Sequence, residues 1–263
     1  MTRRRRLDAE LVRRGLATDT AQAAKVVRTG LVTIAGVPAT KASTLVGGDA
    51  AVRIMVPGPP FVSRGGTKLD AALERFAIDP AGLCCLDAGA STGGFTDRLL
   101  KAGAASVVAV DVGYGQLAWS LRTDPRVEVR DRTNVRDLRP GDLVPPPDLV
   151  VADLSFISLR TVLDPLVRVA SSGATFVLLV KPQFEAGDNV GYGGVVRDPG
   201  VWRRVLEEIL EVVAVRGLGP FGLMVSPVRG AAGNVEFLLA CRAGDRGVEA
   251  DVDAAVAAAQ ELP

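Results

Sequence analysis

Beyond residue 80 the chain alternates short, unbroken apolar runs with stretches whose apolar residues recur every three or four positions. Runs rich in Val, Leu and Ala suit strands buried on both faces of a parallel sheet, and the periodic stretches between them suit crossover helices. The pattern predicts strands at 84–88, 106–110, 127–130, 149–152, 176–180, 221–225 and 235–240, and helices at 94–102, 116–122, 159–169 and 199–215. This is an α/β body with a seven-stranded, mostly parallel sheet. The first 60 residues read differently. A short helix from Leu7 is stopped by Gly15, and a second, capped by Thr18 or Asp19, runs to about Arg28 before Gly30. Small strands at 31–34 and 52–55, with a turn at Ala35-Gly36, complete a small α+β domain. Pro57, Pro59 and Pro60 make a stiff spacer, so the expected organisation is a domain at 1–56, a linker at 57–62 and a body at 63–263. The alanine-rich tail after 243 suits a terminal helix.

Charge sharpens this division. The net charge of +1 splits into +6 for residues 1–60 and −5 for the rest. A basic segment on a mildly acidic body fits a nucleic-acid-binding appendage. Arg13, Arg14, Lys25 and Arg28 can lie on the outer sides of two packed helices, facing a phosphate backbone. At 48% apolar and 23% charged residues, the 263-residue chain can bury a large core. Its longest apolar runs are far too short to span a membrane, and no apolar run follows the arginines near the N-terminus, so neither a membrane anchor nor a secretory leader is expected. Three cysteines, two of them adjacent, fit a reducing cytoplasmic setting. The absence of histidine excludes Ser-His and Cys-His nucleophile pairs and His-ligated metals. Proton chemistry is left to Lys, Asp, Glu and Tyr.

Two features carry candidate chemistry. The first predicted strand ends in Asp87-Ala88-Gly89-Ala90-Ser91-Thr92-Gly93-Gly94-Phe95, a glycine-rich turn into a helix. It lacks the middle glycine that would accommodate a pyrophosphate. The second strand ends at Asp111, where a carboxylate can accept hydrogen bonds from a ribose. Turn and carboxylate together suit a nucleoside cofactor without a pyrophosphate, such as S-adenosylmethionine (SAM). The second feature is ionisable residues beside apolar runs. Asp153 ends the run 149–152, Lys181 ends the run 176–180, Glu236 interrupts the last apolar run, and Lys68 is expected to open the helix before the first strand. Strand ends in an open α/β sheet converge on the ligand crevice, so Asp153 and Lys181 are expected to face the cofactor.

These motifs carry a resemblance. Arg6-Leu7-Asp8, Leu11, Gly15-Leu16, Gly30, Val32, Ile34 and Gly36 resemble the S4 RNA-binding domain, with Asp19-Thr20 and Ala35 departing from its pattern. Residues 61–242 resemble FtsJ-type RNA 2′-O-methyltransferases, whose Lys-Asp-Lys-Glu tetrad falls on Lys68, Asp153, Lys181 and Glu236. The two together, with the strings Ser63-Arg64-Gly65-Gly66 and Lys181-Pro182-Gln183-Phe184-Glu185, are similar to the TlyA family of ribosomal RNA methyltransferases, also called hemolysin A. The resemblance implies a Rossmann-like SAM-dependent fold behind an S4 domain. It also implies methylation of cytidine 2′-hydroxyls in 16S and 23S rRNA, with SAM as cofactor, ribosomal RNA as partner and no metal. It assigns cofactor contacts to Asp87, Gly89, Ser91, Thr92, Gly93, Gly94, Phe95, Asp111, Val112, Asn134 and Asp153. RNA contacts fall to Arg3, Arg4, Arg6, Arg13, Arg14, Lys25, Arg28, Lys41, Arg64 and Tyr192, with Arg197 available to a phosphate. Lys181 is the expected base or hydroxyl-orienting group. Three rival readings are a non-catalytic rRNA-binding assembly factor, a membrane-active hemolysin and a nicotinamide dehydrogenase; methyl transfer, liposome leakage and cofactor titration separate them.

Overall fold

Asp19 decides where the second helix of the N-terminal unit begins. Its Oδ1 accepts the backbone N–H groups of Ala21 and Gln22, each at 2.8 Å, leaving Thr18 to donate its hydroxyl to Gln22 Oε1. The computed structural model describes residues 4–55, 59–187, 194–230 and 232–262, and the chain divides into two units, Met1–Pro60 and Phe61–Pro263. In the first, helices α1 (Leu7–Arg13) and α2 (Thr20–Arg28) pack beside two small sheets. One pairs β1 (Arg5–Arg6) with β4 (Leu45–Val46); the other orders β3 (Val37–Pro38), β2 (Val32–Ile34) and β5 (Val52–Ile54). The predicted hairpin turn is left-handed at Ala35 (φ 50°) and Gly36 (φ 84°). Leu7, Leu11, Ala23, Val27, Val32 and Val46 form the core. The two-residue strands escape sequence reading because they are too short to show alternation.

In the second unit, α3 (Arg64–Arg75) precedes a sheet built from β6 (Cys84–Ala88), β7 (Ser106–Val110), β8 (Val127–Arg130), β9 (Leu149–Ala152), β10 (Thr175–Val180), β11 (Leu218–Val225) and β12 (Phe237–Ala243). The order is β11-β12-β10-β9-β6-β7-β8, with β10, β9, β6, β7 and β8 parallel and β12 antiparallel to both its neighbours. The expected α/β, mostly parallel seven-stranded sheet is therefore present. Its unbroken apolar runs serve two cores in alternation. Leu149 and Val151 face a cluster with Leu69, Leu73 and Leu99, while Val150 and Ala152 face one with Leu163, Leu166 and Ile209. Helices α4 (Gly94–Lys101), α5 (Trp119–Arg122), α6 (Leu163–Val169), α7 (Pro182–Glu185), α8 (Pro199–Ala214) and α9 (Val252–Gln260) complete the unit.

Several expected elements shift. The helix expected at 159–169 splits into a 3-10 turn, Leu159–Thr161, and α6, because Pro165 has no N–H to donate to the carbonyl of Thr161. The helix expected at 116–122 shrinks to α5. Leu117 is buried, Gln116 reaches Ser91 Oγ at 3.4 Å, and Ala118 N–H bonds the carbonyl of Thr92, so this stretch closes over the glycine turn. Lys68 does not open its helix: α3 starts at Arg64, and Lys68 stands in its second turn. Glu236 does not interrupt a strand, since β12 starts one residue later. Phe61, assigned to the linker by sequence, is buried and belongs to the second unit.

Candidate active site

The chain steps outward from β6 to β7 and β8, then returns to β9 and β10 on the other side. A crevice forms at the carboxyl ends of the strands where the order reverses, between β6 and β9. There Asp153 N–H bonds the carbonyl of Ala88 at 3.0 Å, and Gly89 turns away with φ 87°. A Cβ on Gly89 would lie 2.6 Å from the carbonyl oxygen of Asp153. The glycine is thus required by the neighbouring strand end. Gly93 (φ 98°) is different. Its missing Cβ would collide with Leu121 and Leu117, so its smallness serves packing behind the turn.

The antiparallel strand β12 brings the fourth tetrad residue home. Because β12 starts where β10 ends, with Phe237 opposite Val180, Glu236 lies beside Lys181 at the crevice. Lys68, Asp153, Lys181 and Glu236 line one cavity of about 600 Å³. They form two ion pairs: Lys68 Nζ to Glu236 Oε2 at 2.5 Å, and Lys181 Nζ to Asp153 Oδ1 at 2.6 Å. Lys181 Nζ also donates to Ser155 Oγ at 2.9 Å. The lysine side chains are 9% and 8% exposed, so the amines are desolvated except toward the cavity. Gly89, Ser91, Thr92, Gly94, Phe95 and Arg64 line the same space.

A second cavity of about 390 Å³ shares Gly89, Ser91, Asp153, Ser155 and Phe156 with the first and adds Asp111, Val112, Thr133 and Asn134. Asp111 is committed to backbone, accepting from Ser91 N–H (2.8 Å) and Gly113 N–H (2.7 Å) through different oxygens. Each carboxylate oxygen keeps a further lone pair for a ligand. Asn134 Oδ1 caps the next turn by accepting from Arg136 N–H. Acceptors set among Val110, Val112 and Ile157 are the environment a nucleoside needs, so the residues present fit that cofactor class. Asp87 and Gly93 line neither cavity. Asp87 is fully buried, accepts from the Thr96 hydroxyl at 2.6 Å, and leaves Oδ1 without a partner among the described residues. Burial pushes its carboxyl up to about 7 against the pull of Thr96, and the negative charges of Asp153 and Asp111 add to the rise. Asp87 anchors the glycine turn from beneath.

In the N-terminal unit the basic residues divide. Lys25, Arg28 and Lys41 are exposed and make no side-chain hydrogen bond among the described residues, and Arg4 is exposed. Arg6 pairs with Asp8 at 2.7 Å. Arg13 and Arg14 both grip Glu10, whose side chain is fully covered. Arg14 also donates to the carbonyls of Ala50 and Gly48, so it holds the fold together. Hydrogen bonds from Arg13 and then Arg14 pull the Glu10 carboxyl down to about 2, against the effect of burial. Arg3 and Tyr192 lie outside the described residues. Sequence reading passed over Ser155, Phe156, Phe184 and Asn234, all on the first cavity. Ser155 and Phe156 stand two and three positions after Asp153, in the loop beyond β9, where no periodicity marks which residues border the cavity.

No helix among the described residues is long and apolar enough to cross a membrane, and no described cluster of His, Cys, Asp or Glu could hold a metal ion. Residues 61–243 match the FtsJ-like methyltransferase family and residues 5–52 match the S4 domain. The chain is 55% identical over 241 residues to the Mycobacterium tuberculosis 16S/23S rRNA (cytidine-2′-O)-methyltransferase TlyA, covering 91% of this chain and 90% of that protein. A solved structure from Streptococcus thermophilus that carries a hemolysin name superposes with a TM-score of 0.75 at 35% identity, covering 100% of this chain and 98% of that one. A Listeria monocytogenes structure named as a SAM-dependent methyltransferase shares the fold alone, with a TM-score of 0.52 at 14% identity over 69% of this chain and 99% of that one.

Proposed function

The chain belongs to the TlyA family of FtsJ-like methyltransferases with an N-terminal S4 domain, and on that premise we propose that it methylates cytidine 2′-hydroxyls of 16S and 23S ribosomal RNA. The observation that carries this reading is the Lys181 amine, held by Asp153 and Ser155 on the wall of a cavity that shares Gly89, Ser91 and Asp153 with a neighbour lined by Asp111, Val112 and Asn134. SAM, when bound, supplies a methyl group on a good leaving group. Asp111, Val112, Asn134 and the turn from Gly89 to Ser91 would hold its nucleoside part, and Asp153 would lie nearer the reacting centre.

The chain's own task is to present the ribose hydroxyl. An ammonium has three N–H donors. Two of those on Lys181 are engaged by Asp153 and Ser155, and the third is left for the attacking oxygen. That hydrogen bond orients the hydroxyl and stabilises charge developing on it. Where Lys181 arrives as the free amine, Nζ accepts the proton instead. Such base assistance is worth about 10²–10⁴-fold. Lys68 and Glu236 hold each other on the wall of the same cavity and are available to orient the ribose. The exposed bases of the first unit, with Arg64 at the cavity, supply the contacts to phosphate. A ribosomal RNA substrate places the enzyme in the cytoplasm.

Incubating purified chain with ribosomal subunits and methyl-labelled SAM tests the proposal. The expected result is label in 16S and 23S rRNA that maps to cytidine 2′-oxygens. Label on a base, or none in either RNA, would overturn it.

A further inference from the structure

Glu185 closes the string that begins at Lys181. Helix α7 is a single turn with Lys181 at its N-cap and Glu185 at its end. Opposite runs the loop of residues 153–158, which leaves β9 and enters the 3-10 turn at Leu159. The two ends of α7 grip the two ends of this loop. Lys181 holds its start through Asp153 Oδ1 (2.6 Å) and Ser155 Oγ (2.9 Å). Glu185 holds its finish: Oε2 accepts from Ser158 Oγ at 2.5 Å and Oε1 from Leu159 N–H at 2.7 Å.

The loop needs both grips. At its crest Phe156 adopts a left-handed backbone (φ 62°) and is 91% exposed, with its ring 5.3 Å from that of Phe184 in α7. A bulky residue at positive φ persists only where its surroundings impose it. The Glu185 side chain is 2% exposed, and its nearest cation, Arg160, stands 3.7 Å away and is turned toward Glu208. A carboxylate is buried here with both oxygens spent on loop donors. Burial raises its pKa, so the site tolerates that cost to keep two acceptors in one place.

We infer that Glu185 is a positioning residue for methyl transfer, which fixes the far end of the 153–158 loop so that Asp153 and Ser155 meet Lys181 in register. The inference rests on the proposed function for its activity readout, and it has a second readout that does not. In the full chain, Glu185→Ala removes both acceptors. Glu185→Gln keeps an oxygen for Leu159 N–H, and the Ser158 hydroxyl can turn to accept from its amide. Displacing a reacting group by about 1 Å can cost 100-fold, so Glu185→Ala should lower kcat by at least about tenfold and Glu185→Gln by less than about threefold. Hydrogen exchange of the Leu159 amide, whose N–H the Glu185 carboxylate accepts, should rise about tenfold in Glu185→Ala and not in Glu185→Gln, with β9 and β10 unchanged. If Glu185→Ala does not fold, Ser158→Ala, which removes one of the two contacts, should give the same changes at smaller size.

Unchanged exchange at Leu159, or kcat within twofold of wild type for Glu185→Ala or, failing that, Ser158→Ala, would overturn the inference. A wild-type chain that methylates no RNA would defeat the proposed function instead, and the exchange result would still decide whether Glu185 holds the loop.

Discussion

The two units bury acidic groups to opposite ends. In the N-terminal unit Glu10 is fully covered and answered on the spot by Arg13 and Arg14, and it lines neither of the two cavities described above. In the second unit Glu236 and Asp153 are answered just as closely by Lys68 and Lys181, yet all four stand on a cavity wall. The pairings look alike at 2.5–2.8 Å, and what separates them is the space they face. A charge network closed on itself holds a small core together. The same chemistry opened toward a void is poised for a substrate. The basic face of the first unit changes accordingly: Arg14 is an internal tie, while Arg4, Lys25, Arg28 and Lys41 are among the bases that stay exposed.

Breaking each network should separate the two roles. Lys181→Ala should lower methyl transfer by about 10²–10⁴-fold while leaving the melting curve nearly unchanged, since the cavity is open to water on one side. Glu10→Ala should do the reverse. It should lower the melting temperature of the N-terminal unit by several degrees and leave SAM affinity, measured by titration, untouched. A Lys181→Ala chain that unfolds, or a Glu10→Ala chain that loses SAM, would erase the distinction.

Acid titration sharpens the comparison. Glu10 has a folded pKa near 2, below its ordinary 4.5, so its contribution is present above about 4.5 and is lost as pH falls toward 2. Asp87 has the opposite sign. With its carboxyl raised from 3.8 to about 7, the folded state binds the extra proton, and stability falls as pH rises from about 4 to 7. Asp87→Asn should flatten the pH dependence of melting across that window for the second unit; an unaltered slope would place the titrating group elsewhere. The smallest effect belongs to the hairpin at Ala35. Left-handed backbone costs an ordinary residue about 1–2 kcal/mol, and Asn relieves part of it. Ala35→Asn should raise the melting temperature of the first unit slightly, as calorimetry would register.

The candidate site was legible in the sequence to an uneven degree. Asp153 and Lys181 announced themselves because each ends an apolar run, and the rule for parallel sheets sends such ends to one crevice. Asp87 and Gly93 were legible as members of a glycine turn but not as supports behind it, because a motif does not say which way a side chain points. Arg13 and Arg14 read as part of a basic run, since Glu10 three and four positions away lies on the same helix face and its burial is invisible in one dimension.

The amino-acid sequence alone determined the alternating α/β body, the basic N-terminal appendage, the glycine turn and the absence of histidine chemistry, because periodicity and composition act locally along the chain. The tertiary structure alone decided that Glu236 reaches Lys68, that Ser155 shares Lys181, and that Arg14 is spent internally. Strand order and the antiparallel entry of β12 set those meetings, and they join residues far apart in the chain, where no local pattern can speak for them.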